Sequence, residues 1–172
     1  DSFGRTVLHY AVKSDSNEIV NIILQQSHYT YKADVDGKTP LHFCGIYGNA
    51  SIANDLLTAM VSFDVNQCDL QKSSPLHETI KSQQLDVADF LLSHGANANF
   101  PDSSGRTPLH LAAEIGSLAA TNMLLKSGGN VNERNNLLHT PAFLAARFGR
   151  SVLLTLIKNG ADINVPDEKG RT

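Results

Sequence analysis

The chain has 172 residues, with 14 Lys and Arg against 17 Asp and Glu, two cysteines and no tryptophan. Its length suits one ordinary domain or a small pair, and its net charge of -3 argues against a nucleic-acid backbone binder, which needs clustered Lys and Arg. No run approaches the roughly 18 apolar residues of a membrane span, Asp1-Ser2-Phe3-Gly4-Arg5 does not read as a signal peptide, and two cysteines cannot staple a disulfide scaffold.

From the N-terminus, one tetrapeptide recurs. It reads Thr6-Val7-Leu8-His9, Thr39-Pro40-Leu41-His42, Ser74-Pro75-Leu76-His77, Thr107-Pro108-Leu109-His110 and a decayed Thr140-Pro141-Ala142-Phe143. The copies are spaced by 33, 35, 33 and 33 residues, and Asp or Asn stands five residues ahead of each: Asp1, Asp34, Asp69, Asp102, Asn135, then Asp167. The repeats therefore run 1–33, 34–68, 69–101, 102–134 and 135–166, with residues 167–172 opening a sixth. A Thr or Ser before Pro predicts a helix start, because the hydroxyl caps free amides and Pro suits the first helical position. In the fourth repeat a first helix ends at Gly116, a left-handed terminator. A second helix over about Leu118 to Lys126 carries Met123, Leu124 and Leu125 and ends at Gly128. One such pair cannot bury its apolar face alone, so neighbours must stack to supply the core.

The copy Asp102-Ser-Ser-Gly105-Arg-Thr107-Pro-Leu-His110-Leu-Ala-Ala113-Glu-Ile-Gly116 resembles the ankyrin-repeat family, and the resemblance covers the whole chain. It implies an all-α repeat solenoid of stacked helix-turn-helix pairs joined by β-hairpin turns, a partner docked on a concave face of hairpin tips and first helices, and no cofactor. The departures from the pattern mark specialised places. Asp15, Lys72, Gln83 and Leu138 stand where the pattern has Gly, and Ser27-His28 replaces Gly-Ala. Thr58-Ala-Met60-Val-Ser-Phe63 holds two extra residues, expected to enlarge the loop after the second helix of repeat two. Neither end reads as a finished cap, so the chain is expected to be part of a longer protein.

The residue pattern offers little to an enzyme. His9, His42, His77 and His110 form a ladder, one per repeat, on the order of 10 Å apart for packed helices and too far apart for one metal ion. Each is expected to tie a turn to a helix start. His28, His94 and His139 are expected to be solvated. Cys44 takes a small core position, Cys68 is expected to be more accessible, and both thiols fit a reducing compartment. No base sits in register with either thiol, no carboxylate pair is set for acid–base work, and no phosphate loop is present. No enzymatic activity and no bound metal are expected.

Function is therefore sought where the scaffold leaves side chains free. The last exposed position of each first helix reads Ser14, Tyr47, Ser82, Ile115 and Phe148; large apolar residues there point to an interaction surface. The expected partner-binding set is Ile46, Tyr47, Leu70, Lys81, Ile115, Leu137, Arg147 and Phe148, taking a peptide or protein surface as a monomeric module, without direct nucleic-acid contact or membrane insertion. One alternative is a positioning module inside a larger enzyme, channel or transcription regulator. Another is a phosphate ligand on the mixed face of Lys13, Lys38, Lys81, Arg106 and Arg147. An intracellular location, cytoplasmic or nuclear, is expected. Asn164 resembles loop asparagines that are hydroxylated in some members of the family, although a loop-stabilising role accounts for it as well.

Overall fold

A computed structural model describes residues 1–26, 32–59, 64–148 and 150–171, with the side chain of Phe148 outside that description. Ser27-His28 and most of the two-residue insertion, from Met60 to Phe63, lie outside the described residues. Two compact units emerge, Asp1–Ala96 and Asn97–Thr172. The first holds α1 (Val7–Lys13), α2 (Asn17–Leu24), α3 (Pro40–Tyr47), α4 (Ala50–Ala59), α5 (Pro75–Lys81) and α6 (Leu85–Ser93). The second holds α7 (Pro108–Ile115), α8 (Leu118–Lys126), α9 (Pro141–Phe148) and α10 (Arg150–Lys158). Within each unit first helices pack on first helices and second on second, and the fold class is the all-helical repeat solenoid expected from sequence.

The residue five ahead of each Thr or Ser folds the turn. One Oδ1 accepts two backbone N–H groups, two and four residues on: Phe3 and Arg5 for Asp1, Asp36 and Lys38 for Asp34, Gln71 and Ser73 for Asp69. The same pair forms at Ser104 and Arg106 for Asp102, Leu137 and His139 for Asn135, and Lys169 and Arg171 for Asp167. A short polar side chain thus works beside a backbone bond that closes the same five residues, such as Asp34 N–H to Lys38 O at 2.9 Å. No strand forms among the described residues, so the expected hairpins are Asx-type turns with single cross-bonds between tips: Val35 N–H to Phe3 O and Leu70 N–H to Asp36 O, each 2.9 Å, and Asn136 N–H to Ser104 O, 3.0 Å.

The turn closes with a residue at positive φ. Gly4, Gly37, Gly105 and Gly170 occupy that place in four turns. Lys72 at 55° and Leu138 at 58° occupy it in the other two; Asp15 at 55° and Gln83 at 57° do the same where Gly48 and Gly116 end first helices. The four departures from glycine read from the sequence are therefore four residues held in the left-handed region. Each costs on the order of 1–2 kcal/mol relative to a residue at ease there, least for Asp.

The core follows the helical spacing. Leu8, Val12 and Val20 are buried in repeat one, Leu41, Cys44, Ile52 and Leu56 in repeat two, and Leu76, Ile80, Val87 and Leu91 in repeat three. In the second unit Leu109, Ala112, Ala113, Ala120 and Leu124 are buried, as are Ala142, Ala145, Val152 and Leu156. Each large side chain removed from water contributes about 1.5–3 kcal/mol. Close packing relies on small residues. A Cβ added at Gly45 in α3 would stand 2.9 Å from the Pro75 carbonyl and 3.0 Å from Thr79 Cγ2, so α3 and α5 meet through that gap.

Candidate protein interface

The histidine ladder is structural, and it does more than the sequence suggests. In repeat two, His42 Nδ1 receives the Thr39 N–H at 3.1 Å and lies 2.7 Å from the Thr39 hydroxyl. Its Nε2 faces the Ser73 carbonyl of the next turn at 3.0 Å. A carbonyl only accepts, so Nε2 carries the hydrogen and the ring is the neutral Nε2–H tautomer. His9 repeats this between Thr6 and the Lys38 carbonyl, and His110 between Thr107 and the His139 carbonyl. Burial pushes all three histidines below their ordinary value, against the opposing pull of the carbonyl they face. Among the described residues no group of three His, Cys, Asp or Glu side chains is placed to hold a metal ion.

The remaining titratable groups separate clearly. Cys44 is fully buried, which drives its thiol far up. Cys68 is half-buried, its Sγ–H donates to the Asn66 carbonyl at 3.2 Å, and burial with nearby Asp69 and Asp64 raises it. His94 is exposed but stacks on Phe90, centroids 4.1 Å apart. His139, expected to be solvated, is half-buried instead, because its ring stacks on Phe143 at 4.1 Å and 12°. That contact exists because Phe143 takes the place of the ladder histidine.

The expected interface residues are placed as follows. In the first unit Leu70 at a turn tip is 71% exposed and Tyr47 at the end of α3 is 44% exposed; Ile46 is half-buried and Lys81 exposed. In the second unit Leu137 at a tip is 54% exposed, Ile115 at the end of α7 is 38% exposed, and Arg147 is exposed. The Phe148 side chain lies outside the described residues, so its expected role has no geometry here. A groove of mixed lining, about 550 Å³, runs in the second unit past Ser103, Arg106, Glu114, Asn136, Leu137 and Arg147. It thus touches two of the second unit's expected residues. An apolar groove of about 610 Å³ opens beside it, lined by Ala142, Phe143, Leu153, Ile157, Ile163 and Val165.

The basic residues considered for a phosphate are largely engaged. Lys38 Nζ lies 2.8 Å from Asp69 and 3.2 Å from Glu78; Lys81 Nζ lies 2.9 Å from Glu78; Arg106 pairs with Asp102 at 2.9 Å and Glu114 at 3.3 Å. Glu78, which sequence reading passed over, organises the first of these clusters. It sits where the other repeats carry Tyr10, Phe43, Leu111 and Leu144, and Ser73 also donates to it at 2.9 Å. Burial alone would raise its carboxyl. The Lys81 hydrogen bond and the charges of Lys38 and Lys81 outweigh burial and hold it at about 2.

The family described as ankyrin repeats (3 copies) matches three overlapping stretches, residues 1–69, 53–135 and 76–167. The chain belongs to the ankyrin-repeat family. Human neurogenic locus notch homolog protein 1 is 31% identical to this ankyrin chain over 108 residues, 62% of the chain and 4% of that protein. Human transient receptor potential cation channel subfamily A member 1 is 33% identical over 97 residues, 56% of the chain and 9% of the channel. A fowlpox virus ankyrin repeat protein, FPV223, is 30% identical over 106 residues, 62% of the chain and 72% of the viral protein. The matched stretch is thus a small part of the first two relatives. Ankyrin repeats are in general protein-interaction modules, and among the described residues no helix is long and apolar enough to cross a membrane.

Proposed function

We propose that this ankyrin chain is a non-enzymatic module that takes a peptide or protein surface against its turn tips and first helices. The observation that carries the reading is the repeated exposure of large apolar side chains at those positions: Leu70 and Tyr47 in the first unit, Leu137 and Ile115 in the second. Such residues keep a large share of their apolar surface open to water, and large side chains at the centre of a contact concentrate binding energy. Ile46 and Lys81 flank the first pair; Arg147 and Phe148 flank the second. In this reading residues 1–172 act as one monomeric domain of five repeats and the start of a sixth, within a larger regulatory protein of the cytoplasm or nucleus. The matches to notch and channel proteins, of which the chain spans only a few per cent, support the alternative of a positioning module with no partner outside its own chain.

Substituting Ser for Tyr47, Leu70, Ile115 and Leu137 together separates these readings. An interface loses partner capture while far-UV circular dichroism and the unfolding midpoint stay near those of the parent. Unchanged capture by the quadruple variant refutes the interface. Loss of helicity shows that these side chains serve the core.

A further inference from the structure

The turn of repeat five departs from its neighbours at the point where turn tips meet. Elsewhere a tip carbonyl accepts the N–H of the next tip: Asp36 O from Leu70 in the first unit, Ser104 O from Asn136 in the second. Glycine makes that approach possible. A Cβ added at Gly37 would stand 2.9 Å from the Leu70 nitrogen, and one at Gly105 would stand 2.8 Å from that of Asn136. Repeat five has Leu138 at this place, where a side chain stands in the way of the next tip. Among the described residues the Leu137 carbonyl, which matches Asp36 O and Ser104 O in register, accepts no hydrogen bond from Glu168 N–H.

The turns of repeats five and six are joined by other means. The Arg134 guanidinium donates from Nε to the Leu138 carbonyl at 3.3 Å and from Nη2 to the Pro166 carbonyl at 2.7 Å. Ala33, Cys68 and Pro101 hold the place of Arg134 in earlier repeats and carry no group that could do this. Arg134 thus bridges two turns whose tips do not bond. Leu138 itself runs against local preference. Its φ is 58°, where four of the six turns use glycine, and its side chain is 39% exposed beside Leu137 at 54%. A strained residue with an open apolar side chain is a place where a local rule gives way to function.

We propose that the tip of repeat five takes an extended peptide segment of a partner protein, with Leu138 as a specificity residue. The Leu137 carbonyl accepts a main-chain N–H of that segment, and the Leu137 and Leu138 side chains hold an apolar side chain next to it. The inference rests on the interaction reading above and adds Leu138 and the form of the partner. The occupant follows from the other tips, where the matching carbonyl is filled by a main-chain N–H. An extended segment has such groups to offer, whereas the interior of a helix has already bonded its own.

Selection of a phage-displayed library of short random peptides against the full chain tests it. A synthetic peptide of the recovered sequence is expected to carry a Leu, Ile or Phe. It is expected to bind Leu138→Gly about five- to tenfold more weakly than the parent, although that variant melts higher. N-methylation of one backbone nitrogen beside the apolar residue is expected to weaken binding about fivefold, since it removes a single donor. Equal binding by the parent and Leu138→Gly, or a peptide that tolerates N-methylation at every position, overturns this inference. The interaction reading then stands if the peptide still requires Tyr47, Leu70, Ile115 or Leu137, and falls if it requires none of them. A library that yields no peptide overturns the inference and leaves a folded protein surface as the partner. A Leu138→Gly variant that melts below the parent shows the side chain serving the fold and overturns the inference as well.

Discussion

Lowering the pH from 7.5 to 5.5 is expected to weaken the fold through His9, His42 and His110. In the folded chain each ring is neutral, with Nε2–H donated to the next turn and Nδ1 accepting the N–H of the helix cap. A proton added at Nδ1 would face that N–H, and burial already holds all three below their ordinary 6.5. A histidine whose folded pKa is depressed stabilises fully above the unfolded value, and that contribution fades as pH falls below about 6.5. If the folded rings stay neutral to pH 5.5, each loses about 1.4 kcal/mol over this interval, giving an upper limit of about 4 kcal/mol for three. That is a large share of the 5–15 kcal/mol typical of a domain. Urea unfolding followed by circular dichroism at both pH values measures it. A His110→Gln variant, less stable throughout, is expected to lose about a third of the pH dependence. Equal unfolding free energies at pH 7.5 and 5.5, or imidazole titrations by NMR at or above 6.5, would refute the reasoning.

Leu138→Gly is expected to stabilise the second unit by about 1 kcal/mol, since it relieves a Leu held at φ 58°; a lower melting temperature sinks that account. Of the two thiols, Cys68 should react with Ellman's reagent in the native protein and Cys44 only on unfolding, which timed absorbance in the presence and absence of urea will show. Glu78→Gln is expected to cost about 2–4 kcal/mol in urea unfolding at pH 7, because Lys38 and Lys81 lose a shared buried anion. The same carboxylate, held at about 2, stabilises the chain above its unfolded value near 4.5 and loses that effect as pH falls toward 2. The acid limb of the stability curve should therefore flatten in the variant.

The letters of a single repeat reveal what is local. The Asp or Asn five residues before each Thr or Ser is the turn-folding acceptor, and the four missing glycines are the four strained backbones, because both features are decided within a few residues. Contacts that span about thirty residues were harder to read. Nothing in Thr39-Pro-Leu-His42 says that Nε2 will meet Ser73, and nothing around Glu78 says that an ammonium from Lys38 will cross from the previous repeat. Those facts depend on the stacking offset between pairs. The interface residues stand between these cases. Their positions in the repeat were readable, but the half-burial of Ile46 beside the open Tyr47 depends on which neighbour leans over the helix end.

Each histidine bond runs forward, from His9 to Lys38, from His42 to Ser73 and from His110 to His139. These three rings are thus satisfied by the successor turn, whereas the turn tips and Glu78 also draw on the predecessor, so the histidine bonds alone carry a direction. As the chain leaves the ribosome, the turns that end at Lys38, Ser73 and His139 supply the acceptors that His9, His42 and His110 lack until then. Shortening from the N-terminus strands none of these rings, whereas a cut before Ser73 leaves the His42 N–H without its carbonyl. Phe143 makes no such demand and stacks on the His139 ring instead.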